Sequence, residues 1–381
     1  MILEILQEKL KQGLFVVEKI ITKSTTLPIL NYVLFKTEGN FLNLSATDLE
    51  MGIRWWGLSK IEKQGKIVIP SRVLSSFIGF LPNKKITLKT KDLNFFIETE
   101  KNKSQIKGMS SEEFPLFPNL ITEETMVFDS FLFCRGLNQI IDIPAVSSSR
   151  PEISGIFFQF KKDHLVLAAT DSFRLGEKKL FYSDFLKEKN IPLDKEYLFI
   201  LPQKTAREII NIFGEKKRDL KIYFSPNQVT FEILMEETPF PQIQLFSRLI
   251  DGEYPNYQEI IPQKFTNQII LDKKEFLNQV KIASLFSGKI SEIKFKINSS
   301  KEEVQVFSQS ADLGEYHGSL KAKIKGETLS VSFNHRFLIN GLLNIEGNQI
   351  IFEINGQEGP AILKSDQDQS YFYVIMPIKS R

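Results

Sequence analysis

Three stretches of the chain share one hydrophobic pattern: an apolar run, a break at Pro or Asn, then apolar residues at three- and four-residue steps. They are KIVIPSRVLSSFIGFLP (66–82), LFILPQKTAREIINIFG (198–214) and LSVSFNHRFLINGLLNIEG (329–347). Each reads as a strand that stops at Pro70, Pro202 or Asn334 and turns helical, Pro being suited to the first helical position and Asn to a cap. The breaks are 132 residues apart both times. The pattern therefore predicts a threefold internal repeat.

A second set of segments alternates apolar and polar residues before a polar turn: NFLNLSATDLEMG (40–52), DHLVLAATDSFRLG (163–176) and EEVQVFSQSADLGEY (302–316). Alternation of period two marks half-buried strands. Thr47-Asp48 and Thr170-Asp171 hold the same place in the first two, and the third copy lacks the pair. Helices are expected ahead of these strands, at 2–23, about 129–142 and about 272–287. In the first, Leu3, Leu6, Leu10, Leu14, Val17 and Ile21 fall on one face, with Gln12, Lys19 and Lys23 opposite. Asp272 and Glu275 give the last a D-x-x-E start that resembles a capping box. With further strands such as those expected in 84–100, the fold class is α+β: three repeated domains, each with two helices packed on antiparallel sheet. Pro and polar clusters in 116–125 and 253–265 put the expected domains at 1–121, 122–257 and 258–381.

Composition agrees with several packed cores. The chain has 381 residues, 42% hydrophobic and 25% charged, which excludes wholesale disorder and a single small module. The net charge is only +3, so a positive surface for an anionic partner has to come from where the cations sit. With Cys134 as the one cysteine there is no internal disulfide, in keeping with a reducing compartment. The start of the chain lacks the apolar core and cleavage site of a secretion signal, and no uncharged apolar run reaches the ~18 residues of a membrane span. The expected location is cytoplasmic. Phe is abundant (33) and Trp rare (2), which fits thick cores better than a base-stacking surface.

The repeat also places a cation three times at one position, since Arg72, Lys204 and Arg336 each stand two residues past the strand stop. Such a charge in a helix's first turn opposes the helix dipole by about a few tenths of a kcal/mol. Contact with DNA phosphates would account for it, against the plain alternative of solvated surface cations. Lys19, Lys23 and Arg150 are further DNA-facing candidates. Asp48 and Asp171 could be imagined as the carboxylates of a metal-dependent hydrolase, but their spacing follows the repeat, which favours a shared turn role through Asx-type hydrogen bonds. His164, His317 and His335 have no metal-ligand spacing, no phosphate-binding glycine loop occurs, and no cofactor is expected. Cys134, inside FLFCRGL, reads as a packed core residue.

Several segments together resemble the bacterial DNA sliding clamp family, the beta subunit of the replicative DNA polymerase III holoenzyme. They are TTLPILNYVLF (25–35), LSATDLEMGI (44–53), AATDSFRLG (168–176), LIDGEYPNYQEIIP (249–262) and YVIMPI (373–378), in register along essentially the whole chain. The resemblance implies three domains of the clamp fold per chain and two chains closing head to tail as a homodimeric ring, with helices lining the hole and sheet outside. It implies a processivity factor that encircles duplex DNA and catalyses nothing. It also implies a hydrophobic cleft that receives short linear motifs of the polymerase and the clamp loader. Carried over by position, the cleft would contain Ile153, Thr170, Ser172, Phe173, Arg174, Leu175, Pro255, Ile260, Val374, Met376, Pro377 and Ile378. Ser172 and Phe173 stand where the family usually has Gly and His, and Glu259 where it often has a basic residue. Ser24 stands where a basic residue is common, with Lys23 beside it as the substitute. For ring closure the family pattern points to Leu285 and Phe286 against Ile106 of the other chain, with Ser104 in place of a usual large apolar residue. A monomeric module for single-stranded nucleic acid and the Asp48/Asp171 hydrolase are the alternatives from other classes.

Overall fold

The computed structural model describes residues 1–21, 26–117, 124–147, 149–184 and 196–379. Lys23, Ser24 and the expected 121/122 boundary lie outside them. Six α-helices occur among the described residues: α1 (Gln7–Glu18), α2 (Ser71–Phe80), α3 (Ser130–Asn138), α4 (Gln203–Phe213), α5 (Lys273–Ser284) and α6 (His335–Asn344). The expected strand-to-helix junctions stand where the pattern put them. The strands Lys66–Pro70, Tyr197–Pro202 and Leu329–Asn334 each run directly into α2, α4 and α6, whose starts keep the 132-residue interval. Asn334 caps α6 by accepting from the Arg336 backbone N–H at 2.9 Å. Pro70 is not the first helical residue, as its ring alone suggests; with ψ 117° it is the last extended residue and serves as the cap position of α2. Asp272 caps α5 by accepting from the Glu275 backbone N–H at 2.8 Å, as its D-x-x-E start predicts.

The first expected helix is corrected. Residues 2–6 are a strand, Ile2–Leu6, and α1 begins only at Gln7. The stretch ILEIL alternates, and Leu3 and Ile5 turn inward while the strand pairs antiparallel with Lys85–Lys91. Two patterns overlap here, because Leu3, Leu6 and Leu10 also fit a helical step. Sheet pairing wins because it covers Leu3 and Ile5 and satisfies the backbone at once. The other two first helices are likewise preceded by strands, Glu124–Asp129 and Asn267–Asp272, and are shorter at both ends than the pattern suggests.

The described residues form two compact units. One holds those of Met1–Leu132 and Arg207–Leu249, the other those of Phe133–Asp184, 196–206 and 250–379. The first unit contains a five-stranded and an eight-stranded antiparallel sheet, the second a nine-stranded and a four-stranded one. In the eight-stranded sheet, Met51–Leu58 of the first repeat pairs with Pro241–Arg248 of the second, Gly52 opposite Phe246. In the nine-stranded sheet, Arg174–Phe181 of the second repeat pairs with Tyr371–Ile375 of the third, Leu175 opposite Val374. Neighbouring repeats are therefore joined by continuous backbone hydrogen bonding. The cores are apolar side chains held between sheet and helices, among them Phe133, Phe158, Phe276 and Phe295, and Cys134 is buried with them. No helix among the described residues is long and apolar enough to cross a membrane.

Candidate functional site

The Thr-Asp turns carry the hydrogen bonds that their sequence predicts. In the first, Asp48 Oδ1 accepts from the backbone N–H groups of Glu50 (3.1 Å) and Met51 (2.8 Å), and Thr47 Oγ1 donates to the Met51 carbonyl at 2.8 Å. In the second, Asp171 Oδ1 accepts from Phe173 (2.9 Å) and Arg174 (3.0 Å), and Thr170 Oγ1 donates to the Arg174 carbonyl at 2.8 Å. The carboxylates thus hold backbone, and the two turns are copies 123 residues apart. Each has its next residue in the left-handed region, Leu49 at φ 78° and Ser172 at φ 76°. That conformation costs a residue with a Cβ about 1 kcal/mol relative to glycine, which gives the physical reason for a glycine at position 172 in the family. Ser172→Gly and Leu49→Gly are each expected to stabilise the fold by about 0.5–1 kcal/mol; an unchanged or lower midpoint in chemical denaturation would show that these turns are not strained.

Arg174 is the anchor of the second turn. Its guanidinium donates to Asp171 Oδ2 at 3.0 Å and to the Asp142 carbonyl at 2.7 Å, and it lies over the Phe337 ring at 4.7 Å. Burial opposes its charge, but Tyr373 and Asp171 outweigh burial and hold its pKa above the ordinary value. On the other face of the same strand Leu175 is 1% exposed, packed with Val374, Tyr257, Ala168 and Ile362. The segment before α5 lies over these residues: Tyr254 stacks on Phe157 at 4.9 Å, and the Tyr257 hydroxyl donates to Glu177 at 2.7 Å. Burial, with Glu177 adding to it, pushes the Tyr257 phenol far up.

Of the expected cleft residues, Thr170, Ser172, Phe173 and Arg174 come together with the C-terminal segment, since the Met376 backbone N–H donates to the Phe173 carbonyl at 2.9 Å. The next turn of that segment is held by Ile378, whose N–H donates to the Ser332 carbonyl at 2.8 Å. Met376, Pro377, Ile378 and Pro255 are half-buried, Ile260 is exposed, and Phe173 is 63% exposed. Leu175, Val374 and Ile153 are instead fully covered. They are therefore not open to a partner in this chain. Arg150, read above as DNA-facing, is at the second turn: it donates to Ser172 Oγ at 3.0 Å and pairs with Glu152 at 3.2 Å.

Arg72, Lys204 and Arg336 are each the second residue of their helix and each exposed. Lys19 follows α1 directly and its ammonium sits 4.4 Å from the centre of the Phe15 ring.

The helices at the two joints follow one rule. Phe15 and Val16 of α1, the first helix of the first repeat, share a pocket with Asn211 and Ile212 of α4, the second helix of the second repeat. Beside α3 and α6, in the same relation one repeat later, Gln139 Nε2 donates to the Asn344 carbonyl at 2.8 Å and Arg135 pairs with Glu346 at 2.7 Å. The strands that meet are the one after the Asp turn and the last strand of the next repeat. A third joint of the same kind would join Gly314–Lys321 and α5 to Lys103–Lys107 and α2. Those two strands each stand at the end of their sheet. Apolar side chains stand out on the helices of these two half-joints: Phe80 (89% exposed) and Val73 on α2, Leu285 (67%), Ile282 and Ile290 on and after α5. Phe286 stacks on Tyr316 of the end strand, ring centres 6.1 Å apart. Ile106 is only 7% exposed, facing its own sheet's core. The α2 residues were missed by sequence reading, although SRVLSSFIGF carries apolar residues on more faces than one core can use.

The sequence matches the three domain families of the DNA polymerase III beta subunit in order: N-terminal over residues 1–118, central over 135–256 and C-terminal over 258–379. The chain belongs to the bacterial DNA sliding clamp family. Beta sliding clamps of Staphylococcus aureus and Staphylococcus epidermidis are 25% and 26% identical to it over 372 residues, 95% of each chain. Solved clamps superpose over the full length of both chains, that of Bacillus subtilis with a TM-score of 0.92 at 24% identity and that of Pseudomonas aeruginosa bound to griselimycin with 0.90 at 20%. The clamp is a homodimeric processivity factor rather than an enzyme. It encircles duplex DNA and tethers the replicative polymerase and other partners through a hydrophobic peptide-binding cleft. Neither the hydrolase nor the single-strand-binding alternative is supported.

Proposed function

We propose that this clamp works in the cytoplasm as three domains with boundaries near 121/122 and 257/258, and that its ring closes through the third joint. The observation that carries this reading is the pair of end strands, Lys103–Lys107 and Gly314–Lys321. One chain uses up two joints of the repeat and leaves one half-joint of each kind, so a second copy completes both. Open strand edges flanked by apolar helix residues favour pairing over exposure. In this reading Leu285, Phe286 and Ile282 meet Val73 and Phe80 of the partner, while Ile106 supports the seam from inside its sheet.

The partner cleft is read as the surface around Phe173, Pro255, Ile260, Met376, Pro377 and Ile378, held up by Ile153, Thr170, Leu175 and Val374 and shaped by Ser172, Arg174 and Arg150. The DNA face is read as Arg72, Lys204 and Arg336 with Lys19, and Lys23 keeps that assignment from sequence alone. Arg150, engaged with Ser172 and Glu152, goes to the cleft instead.

Retention on DNA tests the whole reading. Loaded clamp is expected to stay on a nicked circular duplex and to run off once the circle is cut, whereas preference for linear single strands would overturn the ring. In the same assay Arg72, Lys204 and Arg336 changed together to Glu should shorten retention and flatten its salt dependence. Two chains offer six such cations, and each lost phosphate contact lowers the salt slope by about 0.9. An unchanged slope would make them plain surface charges.

A further inference from the structure

The outer face of the nine-stranded sheet carries a groove of about 500 Å3 beside the cleft. One wall is Ile261, Pro262 and Phe265, the end of the segment that crosses from the second repeat to the third. The floor is Ile351, Ile362 and Phe372 from three neighbouring strands. We propose that this groove is a second anchor pocket for the proteins that dock in the cleft, taking one aliphatic or aromatic side chain from the chain that flanks their cleft-bound motif. The proposal rests on the cleft reading above.

Continuity with the cleft chooses the occupant. Ile362 lies directly opposite Val374 in the sheet register, and both belong to one buried cluster with Leu175 and Tyr257. The crossing segment is thus a wall shared by two recesses: Pro255 and Ile260 on the cleft side, Ile261 and Phe265 on the groove side. A partner chain leaving the cleft needs only a few residues to reach it, at about 3.3 Å per extended residue. The polar groups of the groove choose the chemistry. Glu353 has both oxygens engaged, Gln268 Nε2 donating at 3.0 Å and Lys364 Nζ at 2.8 Å. Glu353 itself therefore offers no free anion to attract a cation, and the other carboxylate of the lining, Asp366, is exposed to water. Lys364 has three N–H donors, and Glu353 orients its ammonium beside the apolar floor, where it can donate to a backbone carbonyl next to the inserted side chain. A recess of this size, with an apolar floor of Ile351, Ile362 and Phe372 inside a lining that is otherwise largely polar, can take such an anchor.

Two variants test it without touching the cleft. Gln369→Trp fills the groove from its exposed rim, and Ile351→Glu puts a charge on its floor. Each is checked for native dimer mass, then titrated with the intact replicative polymerase subunit and with a labelled short peptide cut from that subunit's cleft-binding motif. The expected result is polymerase affinity about tenfold lower with peptide affinity unchanged, and one folded variant showing this split supports the pocket. Unchanged polymerase affinity, or equal loss for polymerase and peptide, would overturn it. Failure of the cleft reading is read separately, from peptide binding that survives removal of residues 376–381.

Discussion

Leu285→Asp is expected to convert the ring to folded monomers. In the single chain Leu285 is 67% exposed, so a carboxylate there stays in water and the domain keeps its core. In the ring closure proposed above the same carboxylate is shut between α5 and the apolar Val73 and Phe80 of the partner. An unpaired buried charge costs about 3–5 kcal/mol. Because the ring has two such seams, the penalty enters twice, and the dimer constant should weaken by at least about four powers of ten. Phe286→Asp should act in the same direction but also removes the stacking on Tyr316, so it is the less clean probe. Sedimentation at micromolar protein separates the outcomes. A dimer that persists with Asp at position 285 would take α5 out of the seam, and a monomer that has lost its circular dichroism would mean that the site belongs to the core.

Removing residues 376–381 is expected to abolish binding of polymerase-derived peptides, a loss of at least about a hundredfold, with the dimer intact. A short peptide gains most of its affinity from one or two anchors in a preformed recess. In the proposed cleft Met376, Pro377 and Ile378 form one side of that recess, and backbone bonds tie Met376 to Phe173 and Ile378 to Ser332. The last strand, Tyr371–Ile375, ends just before the cut, so its pairing with the strands on either side is kept. Phe173 adds a second expectation. Position 173 carries no titrating group where the resemblance implies histidine, and burial, with the neighbouring charge of Arg336, lowers the pKa of His335 and so favours its neutral form. Peptide affinity should therefore vary little between about pH 6 and 8. Fluorescence anisotropy of one labelled peptide on intact and shortened clamp, at both pH values, reads both effects. Equal affinity after shortening would sink the cleft, and a steep pH dependence would sink only the inference from Phe173.

What the sequence determined by itself is local. The strand stops at Pro70, Pro202 and Asn334, the caps at Asp272 and Asn334, and the Asp48 and Asp171 turns all depend on groups within a few residues of one another. Their hydrogen bonds can be read from spacing, and the 132-residue interval turned three local readings into one architecture. Tertiary structure decided whatever depends on distant partners. Ile2–Leu6 fits a helix and a strand equally until its pairing with Lys85–Lys91, 79 to 87 residues away along the chain, selects the strand. Arg150 has the charge of a DNA contact, yet Glu152 and Ser172 hold it at the second turn. Ile106 and Leu285 look alike as apolar residues, but one is covered by its own domain and the other stands in solvent. Spacing along a chain records which face a residue takes; which surface covers that face is fixed only when the sheets have closed on one another.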